Sequence, residues 1–338
     1  MSELVLVTGG SGFLGGWTVA ELVRRGRRVR TTLRDPGKRA DVVDAAGRLG
    51  GSTDLLEFAT ADLCTDDGWA SAMAGVDLVL HIASPSGAEL SSDPTRVGAV
   101  VDGTTRVLEA ATVAGVRRVV VTSAANAANP ASFDDNIVSD ESQWSAVEFE
   151  DDVIPVRFAK TIAERSAWEF VDAPDAPELA TILPGAVLGP LLTPSALGSA
   201  GIIARMLEGR APRSPNIGVE VVDVRDLVDL HLRALDHPAA AGRRFLGTGE
   251  FLWMRDIARM LRADLGDQAA KVGTGGIPDR LVRLAARRSP ELRRIVPILG
   301  RTNRHSADRA REVLGWRPRP ARQTVLDCAR SLVEHSVV

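Results

Sequence analysis

The apolar run LVLVT ends at residue 8 and is followed at once by GGSGFLGG, which leads into a stretch whose apolar side chains recur at helical spacing. Glycines 9, 12 and 15 stand in the spacing GxxGxxG. Without Cβ atoms, the chain can turn tightly there and its backbone can approach a charged group closely. A helix that starts directly after such a turn points unpaired amides and the positive end of its dipole at the same spot. A strand, a glycine turn and a helix in that order make a cradle for the pyrophosphate of a dinucleotide. The candidate cradle residues are Gly9, Gly12, Phe13, Leu14 and Gly15.

Beyond the cradle, short apolar runs alternate with longer amphipathic stretches: RVRTTL, LLEFATA, DLVLHIA and RRVVVTS are each separated by a helical pattern. Such alternation builds βαβ units, and their crossovers force the strands to run parallel beneath helices on both faces. The expected fold class is α/β, a doubly wound parallel (Rossmann) sheet with a smaller, mostly helical C-terminal substrate region. The expected boundaries are 1–185 for the dinucleotide-binding part, with a returning element around 217–247, and 186–338 for the smaller region.

Composition narrows the partners. A net charge of -3 provides no basic field for nucleic acid or an anionic membrane. Leu179 to Ala204 lacks charge, but Pro184, Pro190 and Pro194 would break a spanning helix. Two distant cysteines and five histidines without ligand spacing point to neither a disulfide framework nor a metal site. No signal-peptide pattern opens the chain, so the expected location is cytoplasmic. Arginines crowd residues 280 to 311, where Leu281, Leu284, Leu292 and Ile295 are expected to supply the inward face of short helices. Self-association through residues 95–115 would give a homodimer; otherwise the chain is a monomer.

At the end of the second strand stands Arg34, where a protein selecting NAD usually offers a carboxylate to the ribose 2′-hydroxyl. A guanidinium there suits the additional phosphate of NADP, with Lys38 or Arg39 as helpers. Asp35, followed by Pro36, reads as a cap for the next helix.

Taken in order, TGGSGFLG, ADL at 61–63, HIAS at 81–84, VVVTSA at 119–124, DESQWS at 140–145, KTIAERSAW at 160–168, PGAVLGP at 184–190 and VDVRDLVDLH at 222–231 resemble the extended short-chain dehydrogenase/reductase family. The similarity is to its dihydroflavonol-reductase-like and aldehyde-reductase-like branch. That resemblance implies that Asp62 and Leu63 meet the adenine and that Ala83, Ser84 and Thr122 line the nucleotide path. It further implies that Pro184 to Val187 border the nicotinamide, that Ser123 hydrogen-bonds the reacting oxygen, and that Lys160 holds the nicotinamide ribose. Pocket candidates for a small, largely apolar substrate are Ser84, Pro85, Ala125, Asn126, Val156 and Val187.

The family pattern asks for a tyrosine four residues before the lysine. Val156 stands there, and the chain contains no tyrosine at all. A positioned acid contributes about a hundredfold to ten-thousandfold to proton-coupled steps, and valine has no proton to give. The expected function is therefore NADPH-dependent hydride transfer to a C=O or C=N group, with Ser123, Lys160 and Val156 at the reacting centre. An iminium already carries its proton and needs no acid. The alternative is a weakly active or inactive NADP-binding protein with a sensing or scaffold role.

Overall fold

A computed structural model describes residues 3–84, 95–130, 137–147 and 155–338, and the side chains of 95–97, 155–158, 290, 291 and 294 lie outside that description. In chain order the strands are β1 (Leu4–Thr8), β2 (Arg28–Leu33), β3 (Leu56–Thr60), β4 (Leu78–His81), β5 (Arg118–Thr122), β6 (Val138–Ser139) and β7 (Glu178–Pro184). They continue with β8 (Ala186–Leu188), β9 (Arg213–Pro215), β10 (Gly218–Asp223), β11 (Arg243–Gly247), β12 (Phe251–Trp253), β13 (Gly275–Ile277) and β14 (Arg304–His305). The helices are α1 (Phe13–Arg24), α2 (Arg39–Arg48), α3 (Trp69–Met73), α4 (Thr95–Val113), α5 (Pro155–Phe170) and α6 (Gly201–Leu207). After them come α7 (Val224–Asp236), α8 (Met254–Leu265), α9 (Asp279–Ala286), α10 (Pro290–Ile295), α11 (Asp308–Leu314) and α12 (Ala321–Glu334).

Seven strands form the main sheet in the order β11-β7-β5-β4-β1-β2-β3, every pair parallel. The central strands β1, β4, β5 and β7 are almost continuously apolar because both faces are covered. On one face α1, α2 and α7 bury Val19, Leu22, Val42, Leu227 and Leu230 against the sheet; on the other, α3, α4 and α5 bury Met73, Val107, Leu108 and Ala167. From β1 the chain winds outward through β2 and β3, then crosses back to β4 on β1's other side. That reversal opens a crevice at the carboxyl ends of β1 and β4.

Within 217–247 only β11 enters the main sheet. Strand β10 instead centres a separate three-stranded sheet between β8 and β12, and packs against the smaller core of α6, α8 and α12. In the arginine-rich segment the inward face differs from expectation: α9 buries Val282 and Ala286, whereas Leu281 and Leu284 are 51% and 59% exposed. The helix that begins at Asp279 is rotated so that Val282 and Ala286, and not the leucines, face inward. Among the described residues no helix is long and apolar enough to cross a membrane.

Candidate active site

Strand β1 stops at Thr8 because Gly9 adopts φ +74°, a left-handed conformation that glycine tolerates without strain. The turn closes with the Gly12 amide donating to the Gly9 carbonyl at 3.0 Å. A Cβ at Gly15 would lie 2.1 Å from that same carbonyl oxygen, so α1 can run this close to the turn only with glycine there. Gly12 caps α1 without a side chain, and the first turn carries no acid. The opening amides of the helix are therefore available to an anion.

Thr8 locks the neighbouring wall. Its Oγ1 accepts from the amides of Ile82 and Ala83, each at 3.0 Å, so its own proton goes to Nδ1 of His81 at 2.9 Å. Burial, reinforced by the charge of Lys160, pushes the His81 pKa down to about 3 and keeps the ring neutral.

Between these walls lies a cleft of about 650 Å³. The glycine turn, Phe13 and Leu14 form its floor, Arg34 closes the β2 side, Asp62 and Leu63 the β3 side, and Ala83, Ser84 and Val187 the remainder. The Ser84 hydroxyl is shielded from solvent and has no partner among the described residues. A glycine cradle, uncapped helix amides and a solvent-shielded hydroxyl in one cleft fit a dinucleotide. Sequence reasoning missed Thr32, Cys64 and Trp69, which also line it, whereas Gly198 and Ser199 come from the loop after Gly189 that the sequence marks as a pocket candidate. Asp35 caps as expected, accepting from the Gly37 amide at 2.9 Å. Lys38 is not among the lining residues: it faces Asp41 at 3.6 Å, and Arg39 stacks over Phe58.

Strand β5 lies between β4 and β7, and the ammonium of Lys160 reaches across from α5 to its last carbonyl, Thr122 O, at 3.0 Å. The lysine is half-buried, and desolvation lowers its pKa to about 8 against the upward pull of Glu164. The Thr122 hydroxyl pairs with Nε2 of His231 at 2.9 Å. Since His231 Nδ1 faces the Leu227 carbonyl at 2.8 Å, Nδ1 carries the proton and Nε2 accepts. Burial pushes this histidine down to about 4.

Ser123, just after the end of β5, pairs with a side chain of the protein itself. Its hydroxyl is buried and donates to Glu164 Oε2 of α5 at 2.7 Å, and Thr122, Ser123 and Lys160 are all absent from the residues lining the cleft. The acceptor is the carboxylate one helical turn beyond Lys160, a stronger acceptor than any neutral group. Glu164 also takes the Thr181 hydroxyl at 2.7 Å and the Arg244 guanidinium at 2.8 Å. This hub went unseen in the sequence, although the spacing of Lys160 and Glu164 was visible. Ala125 belongs to a core cluster with Leu183 and Leu246, Asn126 is exposed, and Pro184 ends β7 away from the lining. Pro85 lies outside the described residues, as does the side chain of Val156. Among the described residues no cluster of metal-binding side chains occurs.

Fold and cleft together define a dinucleotide-binding α/β protein of the doubly wound type. The family described as the NAD dependent epimerase/dehydratase family matches residues 5–246. Cinnamoyl-CoA reductase 1 of Oryza sativa subsp. japonica is 38% identical over 77% of this chain and 75% of its own. Dihydroflavonol 4-reductase of Zea mays is 33% identical over 85% of this chain and 82% of its own. Yeast methylglyoxal/isovaleraldehyde reductase Gre2, solved complexed with NADPH, superposes with a TM-score of 0.79 over 99% of both chains at 21% identity. The chain belongs to the NAD dependent epimerase/dehydratase family, in its extended short-chain dehydrogenase/reductase branch, and is an NAD(P)-dependent oxidoreductase by that membership.

Proposed function

We propose that the chain is an NADPH-dependent reductase that transfers a hydride to the C=O or C=N group of a small, largely apolar substrate. The observation that carries this reading is one cleft with the glycine cradle and α1 amides at its floor, Arg34 on one side and Asp62 and Leu63 on another. Arg34 in place of a carboxylate supports the phosphorylated coenzyme. The solved relative complexed with NADPH and the reductase names of the plant relatives support the same chemistry.

When bound, the reduced nicotinamide supplies a hydride. The protein's own residues would orient it: Gly9 to Gly15 on the pyrophosphate, Asp62 and Leu63 at the adenine, and Lys160 at the nicotinamide ribose. Val187 and the apolar stretch around Gly198 and Ser199 support a hydrophobic substrate, and residues 186–338 are our proposed substrate-binding region. Two findings favour substrates that need little acid, or the alternative of a weakly active NADP-binding protein. The chain has no tyrosine, and the Ser123 proton is already committed to Glu164.

Titrating the protein with NADPH and NADH, then offering ketones, aldehydes and cyclic imines to wild type and Val156→Tyr, tests the reading. Imine turnover that holds or falls in Val156→Tyr while ketone turnover rises favours a C=N substrate. Tight NADPH binding without turnover of any class favours the non-catalytic alternative.

A further inference from the structure

We propose that the outer face of α9 docks the protein reversibly onto anionic lipid bilayers, with Leu281 and Leu284 entering the interface between flanking arginines. Neither the cleft nor hydride transfer enters into this.

The overall charge of -3 is unevenly spread along the chain. Residues 279 to 311 hold ten arginines and three acids, a local excess of seven positive charges in a chain that is net negative. Inward-facing leucines would make that segment an ordinary solvated surface. Instead Val282 and Ala286 are buried, and Leu281 and Leu284 are 51% and 59% exposed. Helical spacing sorts the exposed side chains into two neighbouring strips. Leu281, Leu284 and Ala285 form one; Arg280, Arg283 and, at the end of the helix, Arg287 form the other. Arg288 and Arg293 follow, also exposed. Among the described residues none of these five arginines forms an ion pair. Elsewhere the chain matches its arginines: Arg30 to Glu57, Arg118 to Glu178, Arg225 to Asp223 and Arg319 to Asp226.

Such a surface fits a partner that is anionic on the outside and apolar just beneath. A bilayer of acidic lipids offers both across a plane: leucines sink into the boundary between headgroups and acyl chains, and the long arginine stems keep their guanidinium groups among the phosphates. Helix α9 packs chiefly against α10 and the turn at 296–298, which leaves its outer face open. Leu292, Ile295, Val296 and Ile298, which continue the hairpin, are only half-buried and add apolar surface beside it. A folded protein partner is less well matched. Stable protein interfaces centre on large side chains seated in pockets, and the exposed apolar strip offers two leucines and an alanine on a convex helix.

The full chain would be co-sedimented with vesicles of phosphatidylcholine alone, or of phosphatidylcholine with one third phosphatidylglycerol, at roughly 0.05 M and 0.5 M salt. Three variants accompany wild type: Leu281→Ser with Leu284→Ser; Arg280→Gln, Arg283→Gln, Arg287→Gln and Arg288→Gln together; and Arg48→Gln, an exposed arginine of α2, as control. All the substituted side chains are exposed, so urea midpoints should stay near wild type. Wild type should bind the anionic vesicles at least tenfold more tightly than the neutral ones, and high salt should remove most of that preference. The leucine variant should weaken binding about tenfold, and the arginine variant about fivefold for each residue replaced, while the control stays within about twofold. Equal or absent binding to the two vesicle types overturns the proposal, as does binding that either the leucine or the arginine variant leaves within about twofold of wild type. Ultracentrifugation without lipid supplies the other arm. Salt-sensitive self-association that the arginine variant abolishes, with no vesicle binding, assigns the face to a second copy of the chain and overturns the proposal, leaving the reductase reading intact.

Discussion

Arg244 and Glu164 face each other as a buried ion pair, Nε to Oε1 at 2.8 Å, with the guanidinium plane 3.6 Å from the ring centre of Trp144. Arg244 also donates to the carbonyls of Glu141 and Gln143. The returning strand, the helix that carries Lys160 and the loop containing Trp144 are thereby tied at one point. Arg244→Met should cost about 3–5 kcal/mol, because it strands a carboxylate in the core. Urea unfolding measures this, and Arg244→Met combined with Glu164→Met should recover part of the loss, since no unpaired charge then remains.

Gly15→Ala should abolish tight coenzyme binding. Its methyl would press on the backbone oxygen of Gly9, so either the turn or the start of α1 must shift. Thermal shift with and without NADPH reads both effects. A lowered melting temperature and loss of most of the NADPH-induced stabilisation are expected.

Arg34→Asp should invert the preference between the coenzymes. Hydrogen bonds to charged groups contribute about 1.5–3 kcal/mol, so the ratio of NADPH to NADH affinity should fall by roughly tenfold to a hundredfold. Fluorescence titration with each coenzyme gives the ratio directly, and an unchanged ratio would remove Arg34 from phosphate recognition.

His231 makes stability pH-dependent with a definite sign. Its folded pKa of about 4 lies below the ordinary 6.5, so below pH 6.5 the unfolded chain binds a proton that the folded chain refuses. Stability is therefore lost as pH falls from 6.5 toward 4, at up to about 1.4 kcal/mol per pH unit from this residue. His81 adds the same sense of loss over a window reaching about 3. His231→Gln keeps an acceptor for Thr122, and its urea midpoint should vary less steeply between pH 6 and 4.5 than that of wild type.

The doubly wound sheet was legible because long apolar runs and glycine spacing are local properties, and Gly9 to Gly15, Arg34, Asp62 and Val187 meet in one cleft for the same reason. What escaped depended on distant partners. Ser123 reads as a strand-end hydroxyl, and nothing near it in the chain reveals that Glu164, 41 residues later, captures its proton. Strands β8, β9, β12 and β13 span three residues each, too few for any period to emerge. Leu281 and Leu284 mislead because hydrophobic character alone does not fix the rotation of a short helix, and Val282 took the inward position instead.

The grip of Thr8 on the amides of Ile82 and Ala83 also bears on kinetics. With two walls of the crevice fastened by one hydroxyl, an arriving coenzyme meets a rigid mould along that edge. Its capture should follow a single exponential whose rate rises linearly with concentration, with no slow rearrangement to wait for there.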